Sequence, residues 1–95
     1  HAIERIPDNG EALLALAKLY QQQHKIERAK MMYLRAEALE DVKQQAMLGR
    51  AQVALEQRQY HQALELLRNV YRAFPSRTDL LNNIRTLESL VTNTL

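Results

Sequence analysis

Apolar residues recur along this chain at three- and four-residue spacing, and short polar links interrupt them at regular intervals. Leu13, Leu16, Ala17 and Tyr20 set this rhythm first, after a breaker cluster at Pro7, Asp8, Asn9 and Gly10. The pattern predicts a helix from Glu11 to Gln23, a link at His24-Lys25, and a second helix from about Ile26 to Leu39. Polar residues from Asp41 to Gln44 mark the next turn. A third helix is expected over Gln45 to Gln57, a link near Arg58-Gln59, and a fourth helix over Tyr60 to Ala73. Pro75 stops that helix, because the residue before a proline is pushed out of the helical region. Ser76 or Thr78 is expected to cap a fifth helix running to about Thr92. No alternating Val/Ile/Thr run reads as a strand. The fold class expected is all-α, with short links that make consecutive helices antiparallel neighbours.

The helices repeat. Leu13 pairs with Met47, Ala17 with Ala51, Ile26 with Tyr60, Ala29 with Ala63, Tyr33 with Leu67 and Ala36 with Val70, each pair 34 residues apart. Small residues at Ala17, Ala29, Ala51 and Ala63 let paired helices approach closely. Leu13, Leu16, Tyr20, Tyr33 and Leu67 fill the space between them. No single helix pair can bury its apolar face alone, so stacking of neighbouring pairs is expected. The last helix differs. Leu80, Leu81, Ile84, Leu87, Val91 and Leu95 form mainly one stripe, and Arg85 stands where a repeat helix wants a small residue. That pattern fits a capping helix, or the first helix of a divergent third unit.

This helix–turn–helix period resembles the tetratricopeptide repeat. Unit one reads Leu13-x2-Leu16-Ala17-x2-Tyr20, then Ala29-x3-Tyr33, Ala36 and Asp41. Unit two reads Met47-x2-Arg50-Ala51-x2-Ala54, then Ala63-x3-Leu67, Val70 and Pro75. Unit two departs from the pattern at Arg50 and Ala54, where large apolar residues are usual. The resemblance implies a solenoid of helical hairpins wound as a right-handed superhelix. Its units are residues 1–7 as the end of a preceding repeat, 10–43 as unit one, 44–77 as unit two, and 78–95 as a cap or half repeat. On this reading, with His1 in place of an initiating Met, the chain is expected to be a piece of a longer protein.

In this family the first helices of successive units line a concave groove. By position, the resemblance carries that role to Glu11, Leu14, Lys18, Gln21 and Gln22 in unit one. In unit two it carries it to Gln45, Leu48, Gln52, Leu55 and Glu56, and on the last helix to Asp79, Asn82, Thr86 and Ser89. Leu14 and Leu48 are apolar at positions expected to face the groove. With Lys18, Gln52 and Asn82 around them they form a candidate floor for an extended or helical peptide. The competing expectation is that these leucines simply pack against a neighbouring repeat. Some members grip a C-terminal carboxylate with paired Lys and Asn. Here Leu14, Lys18 and Gly49 stand at three of those positions, and only Lys18 has the chemistry, so binding of chaperone tails is not expected.

Composition narrows the function further. The 95 residues include no Cys, which removes disulfides, thiolate metal sites and a cysteine nucleophile. A chain this short has no room for a deep cleft between two domains. No apolar run is long enough to span a membrane, and no secretory signal is present. The formal net charge of +2 argues against nucleic acid. Charge is uneven, however: residues 42–77 carry six Lys or Arg against two Glu, an excess of +4. Scattered helical Arg usually faces water, which is the ordinary reading of that excess. His24 and His61 fall in links, no His pair has metal-ligand spacing, and no Gly-rich phosphate loop exists. Ser76 and Ser89 have no base nearby in sequence, and the adjacent Glu40-Asp41 sits in a polar turn. Tyr20, Tyr33 and Tyr60 occupy packing positions, Tyr71 is expected to be partly exposed, and the Met31-Met32 pair reads as core filler.

The expectation is therefore a non-enzymatic scaffold without cofactor, metal or small-molecule substrate, whose partner is a protein or peptide. Two alternatives stand beside it. One is a structural spacer in a larger enzyme or transporter. The other is a binder of an acidic polymer through the basic middle segment. The Gln-rich, Cys-free composition points to a bacterial protein, and bacterial members of the family serve envelope assembly, export and pilus building. A face around Ile3, Ile6 and unit one is expected to support a homodimer.

Overall fold

The computed structural model describes residues 9–93 and shows five α-helices, with no strand among the described residues. They are α1 (Gly10–Gln22), α2 (Ile26–Ala36), α3 (Lys43–Glu56), α4 (Tyr60–Ala73) and α5 (Leu80–Asn93). The expected end of a preceding unit at residues 1–7, and Ile3, Ile6 and Leu95, lie outside the described residues. The chain divides into two compact units, with the boundary between Ala46 and Met47 inside α3.

In the first unit α1 and α2 pack as an antiparallel pair. Asn9 caps α1: its side chain accepts from the Ala12 amide at 3.2 Å, satisfying a donor the first turn leaves open. The core buries Leu13, Leu14 and Ala17 of α1 against Ala29, Met32, Tyr33 and Ala36 of α2. Met31 is the exception to the expected Met pair. It is 55% exposed where Met32 is 6% exposed, since adjacent residues on a helix point about 100° apart. α2 stops at Ala36, three residues before the expected end at Leu39, and the chain turns from Glu37 to Val42. Gly10 lies close to that turn. A methyl group placed on it would come within 2.7 Å of Val42 Cγ2 and 3.0 Å of Cγ1.

In the second unit Ala51 and Ala54 of α3, Ala63, Leu64, Leu66, Leu67 and Val70 of α4, and Leu80, Ile84 and Leu87 of α5 form one buried cluster. α5 is covered on one side only. Leu80, Ile84 and Leu87 are buried, while Asn82, Asn83, Arg85, Thr86, Ser89 and Leu90 are exposed. Arg68 of α4 donates to Glu88 of α5 at 2.7 Å across the outside of that pair. Both side chains are largely solvated, so the bridge contributes at most about 1 kcal/mol beside the three buried aliphatics.

The 34-residue period reappears in the backbone. His24 and Arg58 both have positive φ, at 60° and 58°. The His24 amide donates to the Gln21 carbonyl and the Lys25 amide to the Tyr20 carbonyl. The Arg58 amide donates to the Leu55 carbonyl and the Gln59 amide to the Ala54 carbonyl. This is the Schellman arrangement, which ties off the free carbonyls at a helix end. Lys25 and Gln59 then open the next helices with matching angles, φ −90° and ψ 73° and 74°. Both hairpins thus turn in the same way at the same place in the repeat.

Candidate functional site

The second unit contains a groove of about 480 Å³ between α3 and α5. Its deepest lining is Ala51, Leu67, Leu80 and Leu87, all buried. Leu48 and Leu55, one helical turn plus three residues apart, give α3 a half-buried apolar wall. Leu90 gives α5 the matching wall and is 40% exposed. Gln52, Asn83 and Thr86 add polar groups to the rim. The Thr86 hydroxyl donates to the Asn82 carbonyl of its own helix at 2.9 Å, so its remaining capacity is as an acceptor. Gln52 makes a long 3.4 Å bond to Glu56, and the Asn83 carboxamide has no partner among the described residues. Carboxamides in such positions can both donate to and accept from the main chain of a bound segment.

Arg77 and Asp79 are the charged side chains in the lining, and they are bonded to each other. Arg77 Nε donates to Asp79 Oδ1 at 3.0 Å and Nη2 to Oδ2 at 2.9 Å, a two-pronged pairing that fixes the guanidinium in plane. The Arg77 hydrogen bonds hold the Asp79 carboxyl below the usual carboxylate range, and the pairing raises the Arg77 pKa in turn. The groove is therefore electrically quiet: aliphatic walls, an amide rim and a neutralised ion pair.

The residues expected from sequence are distributed as follows. Leu48, Gln52, Leu55, Asp79 and Thr86 line this groove. Asn82 does not; it is exposed on α5, and the adjacent Asn83 takes the place expected of it. Leu14, Lys18, Gln21 and Gln22 belong to α1 in the first unit. Leu14 is only 8% exposed and forms part of the core, so it offers a partner little surface. Gln21 is half-buried, and its Oε1 accepts the Tyr33 hydroxyl at 2.9 Å, an internal bond between α1 and α2. Lys18 and Gln22 are exposed on one side of α1. Leu90 and Asn83 were not expected. Asn83, Thr86 and Leu90 fall three and four residues apart, one stripe of α5, and that spacing is the signal that identifies them.

Elsewhere the basic middle is partly occupied. Arg68 pairs with Glu88, Arg72 donates to Asn69 at 3.1 Å, and Arg77 pairs with Asp79. His24 and His61 are exposed, and among the described residues no group of three or more His, Asp or Glu is arranged to hold a metal ion. No helix is long and apolar enough to cross a membrane among the described residues. No protein-family model matches the chain, and no curated protein matches it significantly.

Proposed function

We propose that the chain is a pair of tetratricopeptide-type hairpins with a capping helix, and that it acts as an interaction scaffold. Its ligand is a segment of a partner protein, held in the groove between α3 and α5. The observation that carries this reading is the groove itself. Leu48, Leu55 and Leu90 offer aliphatic surface at a rim that also presents the Gln52 and Asn83 carboxamides. Apolar walls supply affinity by burial, and a few fixed polar groups orient the ligand. The matched turns at His24 and Arg58 support the repeat assignment. The bacterial envelope, where export and assembly machinery is built on such scaffolds, is the setting we infer for it.

The test uses Leu90→Glu, because Leu90 is exposed and its replacement leaves the core intact. The folded chain captures its partner from the source cell, and the purified partner then binds in titration. Leu90→Glu reduces that affinity by at least tenfold with an unchanged melting temperature. Equal binding by the variant would sink the groove reading and favour the spacer.

A further inference from the structure

The faces of the three first helices, α1, α3 and α5, are not equally covered. Leu19, Val53 and Leu87 occupy the same place, 34 residues apart in succession. Val53 is 0% exposed and Leu87 is 4% exposed, but Leu19 is 47% exposed. The same holds one turn and two turns earlier: Ala46 and Leu80 are buried, while Ala12 is exposed. On α5 this face is a helix-docking face, since Leu80, Ile84 and Leu87 share one cluster with α4. α1 thus carries a helix-docking face, formed by Ala12, Ala15, Leu16 and Leu19, that no helix covers.

We propose that this face of α1 pairs with the same face of a second copy, antiparallel, about a two-fold axis between Ala15 and Leu16. Two features of the residues select a second copy. First, sizes are self-complementary. The antiparallel register sets Leu19 over the partner's Ala12 and Leu16 over the partner's Ala15, a large residue against a small one throughout. Second, charges are self-complementary. Glu11 and Lys18 lie seven residues apart on one flank of the face, so the two-fold axis brings Glu11 of each copy beside the partner's Lys18. One helix face is small beside standard interfaces, so the dimer is weak and concentration-dependent. This pairing is independent of the groove in the second unit.

The experiment measures mass by sedimentation from about 10 to 500 µM, the range in which so small an interface responds. Mass rises from 11.0 kDa toward twice that value. Leu19→Lys abolishes the rise and keeps the monomer folded, because Lys suits the last turn of a helix. Lys18→Glu weakens association, and Glu11→Lys/Lys18→Glu restores it. The chain has no cysteine, so Ala15→Cys under mild oxidation gives a clean disulfide dimer, formed faster than with Met31→Cys on α2. A monomer at every concentration overturns the proposal. So does a dimer that survives Leu19→Lys, which would place the contact at the exposed Met31 and Leu34 or at Leu90. Failure of the double charge swap to restore association overturns the antiparallel register.

Discussion

His24 and Arg58 stand 34 residues apart and turn the chain in the same left-handed conformation, each closing a helix that another antiparallel helix follows. Neither is Gly or Asn, the residues that adopt this conformation most readily. An L side chain there is strained by about 1–2 kcal/mol, and a glycine returns part of that gain through its freer unfolded chain. His24→Gly and Arg58→Gly are each expected to stabilise the fold by about 0.5–1 kcal/mol. His tolerates positive φ better than Arg, so Arg58→Gly has the larger effect. Urea unfolding of the single variants checks the order. Destabilisation by Arg58→Gly would mean that its stem packs more than its backbone strains.

Gly10 supplies the opposite case, a glycine required by space. Its first-turn position leaves no room for a methyl group beside Val42, whose branched side chain is stiff and buried. Gly10→Ala is expected to cost about 1–3 kcal/mol, the usual range for overpacking. Combining it with Val42→Ala should cost less than the two single changes added together, because the second removes the atoms the first strikes. Strict additivity in that cycle would refute the clash.

The bond from Tyr33 to Gln21 explains a polar side chain that repeat position alone assigned to a binding surface. The phenol ring is buried with its hydroxyl reaching toward α1, and a hydroxyl in that setting needs an acceptor. Tyr33→Phe and Gln21→Ala are each expected to lose about 1 kcal/mol, and the double variant little more than either single one. Thermal unfolding of the cycle measures the coupling.

Much of the fold was legible because each repeated position requires a residue type: small at Ala17, Ala51, Ala29 and Ala63, large at Leu13, Tyr33 and Leu67. What stayed hidden depends on neighbours rather than type. Leu14 and Leu48 are the same residue at the same repeat position, yet one is buried and the other half-buried at a groove. Asn82 and Asn83 are adjacent and chemically alike, and a rotation of about 100° along α5 decides which reaches that groove. Ser76 and Thr78 had the chemistry to cap α5. The chain instead turns between them, with the Thr78 amide bonded to the Ser76 carbonyl, and places Asp79 directly before Leu80.

Asp79 gives the fold an acid-sensitive point. Arg77 holds its carboxyl below the usual range, with smaller help from the amides of Asp79 and Leu80 at the start of α5. A carboxyl more acidic in the folded than in the unfolded chain favours the fold while ionised. That contribution is complete above the ordinary carboxylate pKa of about 3.9 and disappears as pH falls through the lower folded value. Asp79→Asn is therefore expected to lower the melting temperature at pH 6 and to match the parent chain once both are fully protonated. The size is small, since the pair is exposed and salt screens it. Carboxyl titration by NMR checks the direction directly. An Asp79 that titrates at or above the ordinary value would show that the Arg77 fork does not persist in solution.

Leu87 and Leu90 lie one turn apart on α5 and test whether one helix serves both core and groove. Leu87 is buried in the cluster with α4, whereas Leu90 stands at the groove rim. Leu87→Ala removes packed methyl groups and leaves a cavity, for an expected loss of about 2–4 kcal/mol. Leu90→Ala removes surface already half in water and should cost well under about 1 kcal/mol. The ranking reverses for binding: Leu90→Ala weakens partner affinity, while Leu87→Ala at a temperature where it remains folded leaves the rim unchanged. Chemical unfolding and titration of the same two proteins read both sides. Equal stability losses would mean that α5 is packed on its outer side as well, and the groove would then be part of the core rather than a site.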